Sequence, residues 1–348
     1  MCGGLFELAD APRFDPAQID ARDASLWRYR AMLPLPENVQ PISMGEGFTP
    51  LVETRLDDAT FFAKLDFLNP TGSFKDRGTT VLVSAIHAFG ITRVVEDSSG
   101  NAAASLSAYA ARAGIAAEIF VPAYTSPAKL AQIQVYGSQL RKIEGVRENA
   151  ARAVQESAAR GDAYYASHYY NPFALAGMKT NAWEIWEQLG KRAPDVVIAP
   201  VGHGSNLLGL ARGFQDLLAA GLIARLPRFF AAQAENVAPV PAALEQGLDD
   251  TPAVAGARTI AEGISIVRPV HGKEILHVLR ESRGGAVAAS ETEIAEARND
   301  LARTGLYVEP TSATALAVWR KLRREIDADA LVVITLTGSG LKSIQSHN

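Results

Sequence analysis

Between residues 79 and 159 short apolar runs alternate with longer segments of helical period, an order that leaves few folds open. Helical periodicity covers 79–89, 102–113, 128–136 and 148–159, while 93–97, 117–121 and 139–143 read as strands, with Pro122 and Pro127 as punctuation. Strands that alternate with helices of about 10–15 residues indicate parallel sheets with helices on both faces. A second series starts with the long amphipathic segment 172–189 and runs through a strand at 196–200, a helix at 205–218, a strand at 229–233 and a helix at 239–244. It closes with helices at 272–280, 291–303 and 311–321 and strands at 286–288 and 330–335. The expectation is an α/β fold. Nothing repeats at a fixed period, which excludes a solenoid. Residues 246–259 read as a surface loop, and 14–36 as an irregular arm anchored by Trp27, Tyr29, Leu33 and Leu35. A chain of 348 residues divides into two domains or forms one large one.

Charge and composition narrow the function classes. The 34 basic and 38 acidic residues leave a net charge of −4 with no long run of one sign, which argues against nucleic acid as a partner. No apolar stretch approaches the ~20 residues of a bilayer span, and residues 1–10 carry acids rather than a basic leader, so the expectation is a cytoplasmic protein without a membrane partner. Cys2 is the single cysteine, which excludes an internal disulfide and a multi-cysteine metal site.

Three turns from strand to helix carry candidate chemistry. The first is Leu68-Asn69-Pro70-Thr71-Gly72-Ser73-Phe74-Lys75-Asp76-Arg77-Gly78, which follows the strand-like 61–65 and precedes the helix at 79–89. Lysine is scarce in protein interiors. Here the turn-formers before it fix a tight path, so Lys75 reads either as an amine nucleophile toward a carbonyl or as a solvent-facing lysine at a helix start. The second turn is Ser98-Ser99-Gly100-Asn101-Ala102, and the third is Gly202-His203-Gly204-Ser205-Asn206. In the third, glycines let the backbone approach an anion, and a helix N-terminus favours it. An ordinary Gly-rich turn has the same composition.

With those turns in this order, the sequence resembles the fold-type II pyridoxal-phosphate enzymes, and among them the short threonine synthases. The resemblance runs from Trp27-Arg28-Tyr29-Arg30 and Gly45-Glu46-Gly47-Phe48-Thr49-Pro50-Leu51 to Leu336-Thr337-Gly338-Ser339-Gly340-Leu341-Lys342. It implies two open parallel-sheet α/β domains, a large one of residues 1–92 and 175–348 and a small one of 93–174, with pyridoxal 5'-phosphate in the cleft between them. It implies that Lys75 binds the cofactor's aldehyde and then serves as the base at the substrate Cα, and that Gly202, His203, Gly204, Ser205 and Asn206 cradle the phosphate. Asn101 would hydrogen-bond the cofactor's phenolate oxygen, and Ser98, Ser99, Gly100 and Ala102 would face the carboxylate of a small amino-acid substrate; Asn101 equally suits a helix cap. Thr337 would face the pyridine nitrogen, where a hydroxyl makes the ring a weaker electron sink than a carboxylate would. Phe74 and Asp76 read as structural. A homodimer is the family expectation. Cys2-Gly3-Gly4 looks like half of a Cys-x-x-Cys-Gly start, but without partner cysteines no zinc ribbon closes.

The resemblance frays at the substrate side. Where threonine synthases have an arginine for the substrate phosphate, His168-Tyr169-Tyr170-Asn171-Pro172-Phe173-Ala174 ends in alanine. The remaining cations in the aligned loops are His168, Lys129, His203 and Lys179, none of which reproduces a guanidinium fork. An arginine restored at Ala174 is expected to strengthen phosphate binding. Thr259-Ile260-Ala261-Glu262-Gly263-Ile264 looks more like amino-acid dehydratases, with Glu262 either an acid near the cofactor or a surface acid. Threonine synthase therefore stands first, a dehydratase or ammonia-lyase second, and a catalytically silent binding relative third.

Overall fold

A computed structural model describes residues 7–9 and 12–343, except for the side chains of 128, 129 and 343; Cys2 lies outside the described residues. In chain order the strands are Leu51–Leu56 (β1), Ala59–Lys64 (β2), Arg93–Glu96 (β3), Ala116–Pro122 (β4), Gln139–Ile143 (β5), Tyr164–Tyr165 (β6), Val196–Pro200 (β7), Arg228–Ala234 (β8), Gly285–Ala289 (β9) and Val332–Thr335 (β10). The helices are Lys75–Ala88 (α1), Asn101–Ala113 (α2), Pro127–Val135 (α3), Arg147–Ala159 (α4), Pro172–Gln188 (α5), Ser205–Ala219 (α6), Pro239–Glu245 (α7), Gly272–Glu281 (α8), Glu291–Arg303 (α9) and Pro310–Leu322 (α10).

These strands form two sheets. One has the order β1-β2-β10-β7-β8-β9 and the other β5-β4-β3-β6. Every pairing is parallel except the β1–β2 hairpin, where Leu51 lies opposite Lys64. β7 is buried along its whole length, as a near-continuous apolar strand covered on both faces must be. On one face of the larger sheet Trp183, Trp186, Phe214 and Phe229 pack with the arm residues Leu26, Trp27, Tyr29, Leu33 and Leu35. On the other face Phe61, Ile294, Leu301, Leu316 and Trp319 form a second apolar layer. Under the smaller sheet α1 and α2 contribute Leu82, Val83, Ile86 and Leu106.

Three differences from the sequence expectation have physical causes. α1 begins at Lys75 rather than at 79, with Gly78 inside it. A Cβ on Gly78 would lie 2.7 Å from the Ala174 carbonyl oxygen, so this glycine serves a close helix approach rather than a helix break. β1 is missed by an apolar-run reading because Thr54 alone of its residues is buried and Glu53 and Arg55 interrupt the apolar ones. β6 spans two residues, too few for any pattern to register.

Two devices fix where α1 starts relative to the rest. The first is a seam of glycines: a Cβ on Gly177 of α5 would lie 2.1 Å from the Arg77 carbonyl oxygen of α1, and one on Gly209 of α6 would lie 2.3 Å from Met178 Cβ of α5. α5 is thereby held against both α1 and α6, whose first residues are Lys75 and Ser205. The second is a fully buried charge network beneath α1. Arg77 donates to Asp66 at 2.7 Å and to both carboxylate oxygens of Glu184 at 2.5 and 2.7 Å, while Lys64 Nζ lies 2.7 Å from Glu184. Burial alone would raise the Glu184 carboxyl, but the Arg77 and Lys64 cations overcome it and hold Glu184 down at about 2.

Candidate active site

The lysine turn is strapped to the segment after β10. Phe74 N donates to the Thr337 carbonyl at 2.9 Å, Ser339 N donates to the Gly72 carbonyl at 3.0 Å, and Ser73 bridges Gly338. Asp76 closes the turn from inside: it accepts from Thr71 N at 2.7 Å, Thr71 Oγ1 at 2.5 Å and Ser105 Oγ at 2.6 Å. Burial nevertheless pushes its carboxyl up to about 6. The structural reading of Asp76 therefore gains a definite role as the anchor of the loop that aims Lys75.

Lys75 Nζ sits 4.6 Å from the Phe74 ring centroid, and burial lowers its amine to about 8 against the opposing fields of Glu96 and Glu309; Arg147 adds to the lowering. Glu309 accepts from Asn101 Nδ2 at 3.1 Å through each carboxylate oxygen. Burial raises Glu309, and Glu262 nearby adds to this while Asn101, Lys342 and Lys75 oppose it. Lys75, Asn101 and Glu309, far apart in sequence, are thus brought together. Asn101 is the first residue of α2, with Gly100 at the cap, so its amide reaches Glu309 instead of capping the helix. Ser98 is buried and its hydroxyl accepts from Gly100 N at 3.2 Å, Ser99 is half-buried, and Ala102 is buried in the first turn.

Thr337 lies at the far end of the same constellation. Its hydroxyl is 3.1 Å from Ser312 Oγ, which accepts from Thr337 N at 2.9 Å and Gly338 N at 2.8 Å. A Cβ on Gly338 would lie 2.2 Å from Glu309 Oε1, so a side chain there would displace the Glu309 carboxylate. Glu262 is exposed on a short turn, which favours the surface reading, although its field reaches Glu309.

The glycine turn after β7 faces the segment 168–171. Gly204 has φ +103°, and a Cβ on it would lie 2.6 Å from Ile275 Cδ1. The His203 ring stacks on Tyr169 at 4.4 Å between centroids, and its Nδ1 accepts from Val270 N at 3.3 Å. Burial, with the Arg147 and Lys75 charges, lowers His203 to about 3. His168 Nδ1 is 3.0 Å from Glu96 Oε1, yet burial first and Lys75 second hold this imidazole well below the usual histidine range. Tyr165 donates to Asp97 at 2.6 Å, and Glu96 is raised well above the usual carboxylate range by burial and by the charge of Asp97.

Among the cations expected near a substrate phosphate, both histidines are therefore neutral at pH 7. Lys179 is paired with Asp216 of α6 at 2.7 Å, and the Lys129 side chain lies outside the described residues. Ala174 is buried at 1% exposure among Leu82, Val83 and Ile86. An arginine there would have to leave this apolar core to reach a ligand phosphate. Glu96, Glu309, Ser312 and Arg147 were not singled out in the sequence. Glu96 had a usable signal, an acid ending an apolar strand; the others had none.

Two largely parallel sheets, with a half-buried lysine opening one helix and a glycine-lined turn opening another, define a fold-type II cofactor enzyme. The chain belongs to the pyridoxal-phosphate-dependent enzymes, matching the family described as pyridoxal-phosphate dependent enzyme over residues 42–338. The threonine synthase of Methanocaldococcus jannaschii is 36% identical to it, covering 98% of this chain and 87% of the relative. That of Methanosarcina acetivorans is 33% identical, covering 99% and 87%. Among solved structures, a T.th. threonine deaminase superposes with a TM-score of 0.72 at 27% identity, covering 84% of this chain and 92% of that one.

Proposed function

We propose that this chain acts as a threonine synthase, converting O-phospho-L-homoserine and water to L-threonine and phosphate. The observation that carries the reading is Lys75 itself, a half-buried lysine whose amine desolvation lowers to about 8, in a chain similar to threonine synthases over nearly its full length. The residues present fit the cofactor. Asn206 Oδ1 and Ser73 Oγ are buried polar atoms with no hydrogen-bond partner among the described residues, the kind of group that a bound ligand would satisfy.

Bound pyridoxal 5'-phosphate supplies an electron sink for the pair left on substrate carbon when a proton departs. Gly202, His203, Gly204, Ser205 and Asn206 hold its phosphate, with His203 acting as a neutral donor. Asn101 orients its ring through the amide that Glu309 positions, and Thr337 with Ser312 presents hydroxyls rather than a carboxylate to the ring nitrogen. Lys75 takes a proton from the substrate Cα and returns it. Ser98, Ser99, Gly100 and Ala102, at the start of α2, receive the substrate carboxylate. The reading further carries a small unit of residues 93–174 set against a large one of 1–92 and 175–348, and a cytoplasmic homodimer that sedimentation of the 37.1 kDa chain would check. No described helix is long and apolar enough to cross a membrane.

The test is an assay of the cofactor-saturated protein. Threonine and inorganic phosphate in equal amounts from O-phospho-L-homoserine support the reading. Lys75→Ala is expected to lower turnover by about 10²–10⁴-fold or more. Ammonia and a 2-oxo acid from threonine or serine, with no threonine formed, would establish the dehydratase reading instead.

A further inference from the structure

Arg147 is the first residue of α4, and Ala150 and Val154, three and seven residues on, are buried against Val95 and Phe120 of the smaller sheet. Arg147 therefore continues the sheet-facing stripe of α4 by one turn, past the end of the strands. Because all four strands of that sheet are parallel, the edge it overhangs is also the one from which the Asn101 turn leaves β3 and His168 follows β6. Crevices outside the carboxyl ends of parallel strands are where such sheets take ligands.

Arg147 is half-buried and forms no ion pair with a described carboxylate. Its field nonetheless reaches Lys75, Glu96, His168 and His203. The other charged groups of this cluster have hydrogen-bond partners of their own: Glu96 lies 3.0 Å from His168 Nδ1, Glu309 accepts from Asn101 at 3.1 Å, and Lys342 donates to the Thr71 carbonyl at 2.9 Å. A cation at this edge of the sheet with no ion pair to a described carboxylate, its field reaching the reactive amine, is a receptor for an anion brought by the ligand.

We propose that Arg147 is a specificity-determining residue that receives the distal anionic group of the amino-acid substrate. Identifying that group as the phosphate of O-phospho-L-homoserine rests on the threonine synthase reading; the assignment of an anion site does not. A guanidinium fork matches phosphate bidentately, which supplies from α4 what alanine at 174 cannot supply from α5.

The experiment compares calorimetric binding of 2-amino-5-phosphonopentanoate and of norvaline, its analogue without the phosphonate, to cofactor-loaded wild type, Arg147→Met and Arg147→Lys. The wild type is expected to prefer the phosphonate by about 10–150-fold, the range of a charge-assisted hydrogen-bond pair. Arg147→Met should lose that preference with norvaline affinity unchanged, and Arg147→Lys should keep an intermediate one. A wild type without preference, or a preference that survives in Arg147→Met, overturns the proposal. Weaker binding of the cofactor itself in Arg147→Met, with ligand preference intact, overturns it in favour of a role at the cofactor phosphate. If the wild type makes no threonine yet shows an Arg147-dependent preference, the synthase reading fails and the anion site stands.

Discussion

A lysine amine in water is almost wholly protonated at pH 7, so the burial that brings Lys75 to about 8 changes what it can do. Only the neutral amine attacks an aldehyde. Capture of pyridoxal 5'-phosphate by the cofactor-free protein should therefore rise about tenfold for each pH unit below 7 and level off above about 8, followed by the visible absorption of the lysine-bound cofactor. A rate still climbing at pH 10 would mean that Lys75 titrates like a solvated lysine. Arg147→Met should move the midpoint upward, because the field of Arg147 contributes to the lowering. Lys75, Asn101 and Thr337 were legible in the sequence because short motifs place them at strand ends. Glu309 and Ser312 were not, since their importance comes from contacts with Asn101 and Thr337 across long chain separations. The surroundings of Ala174 were hidden for the same reason: the sequence shows which residue stands there, while only packing shows that the position lies among Leu82, Val83 and Ile86. Ala174→Arg is accordingly expected to cost about 3–5 kcal/mol of stability, as an uncompensated buried charge does, and to leave phosphate binding no tighter. Thermal unfolding and the Michaelis constant for O-phospho-L-homoserine check both halves.

At the scale of elements, strand and helix alternation was legible because each element keeps one period over enough residues to register. What the pattern could not give is how α1 and α6 are set relative to one another, since that depends on α5 approaching both through backbone rather than side-chain contact. The glycine seam makes this testable. Gly209→Ala adds a methyl 2.3 Å from Met178 Cβ and 2.9 Å from the Met178 carbonyl carbon. The backbone part cannot yield by a rotamer change, so α6 must shift outward, at a cost of about 1–3 kcal/mol. Because the first turn of α6 carries the proposed phosphate cradle while α1 carries Lys75, the shift should also weaken pyridoxal 5'-phosphate binding. A variant less stable but unchanged in cofactor affinity would show that the seam does not transmit position to the cradle.

At the scale of the whole molecule, the α/β class followed from the order of elements, and the cleft followed from topology once the two sheets were seen. The strand orders themselves were not readable, because β10, nearly last in the chain, inserts between β2 and β7. That insertion brings Thr337 beside the Lys75 turn, whereas Asn101 belongs to the separate four-stranded sheet. A cofactor gripped at both places ties the sheets to each other. At a cofactor concentration 100 times its dissociation constant, binding should stabilise the protein by about 2.7 kcal/mol. If the proposed residues all engage it, amide exchange should slow at 202–206 on the larger sheet and equally at 98–104 on the smaller one. Protection confined to 202–206 would leave the phosphate cradle in place but remove the Asn101 turn from the site, and with it the route by which Glu309 orients the cofactor.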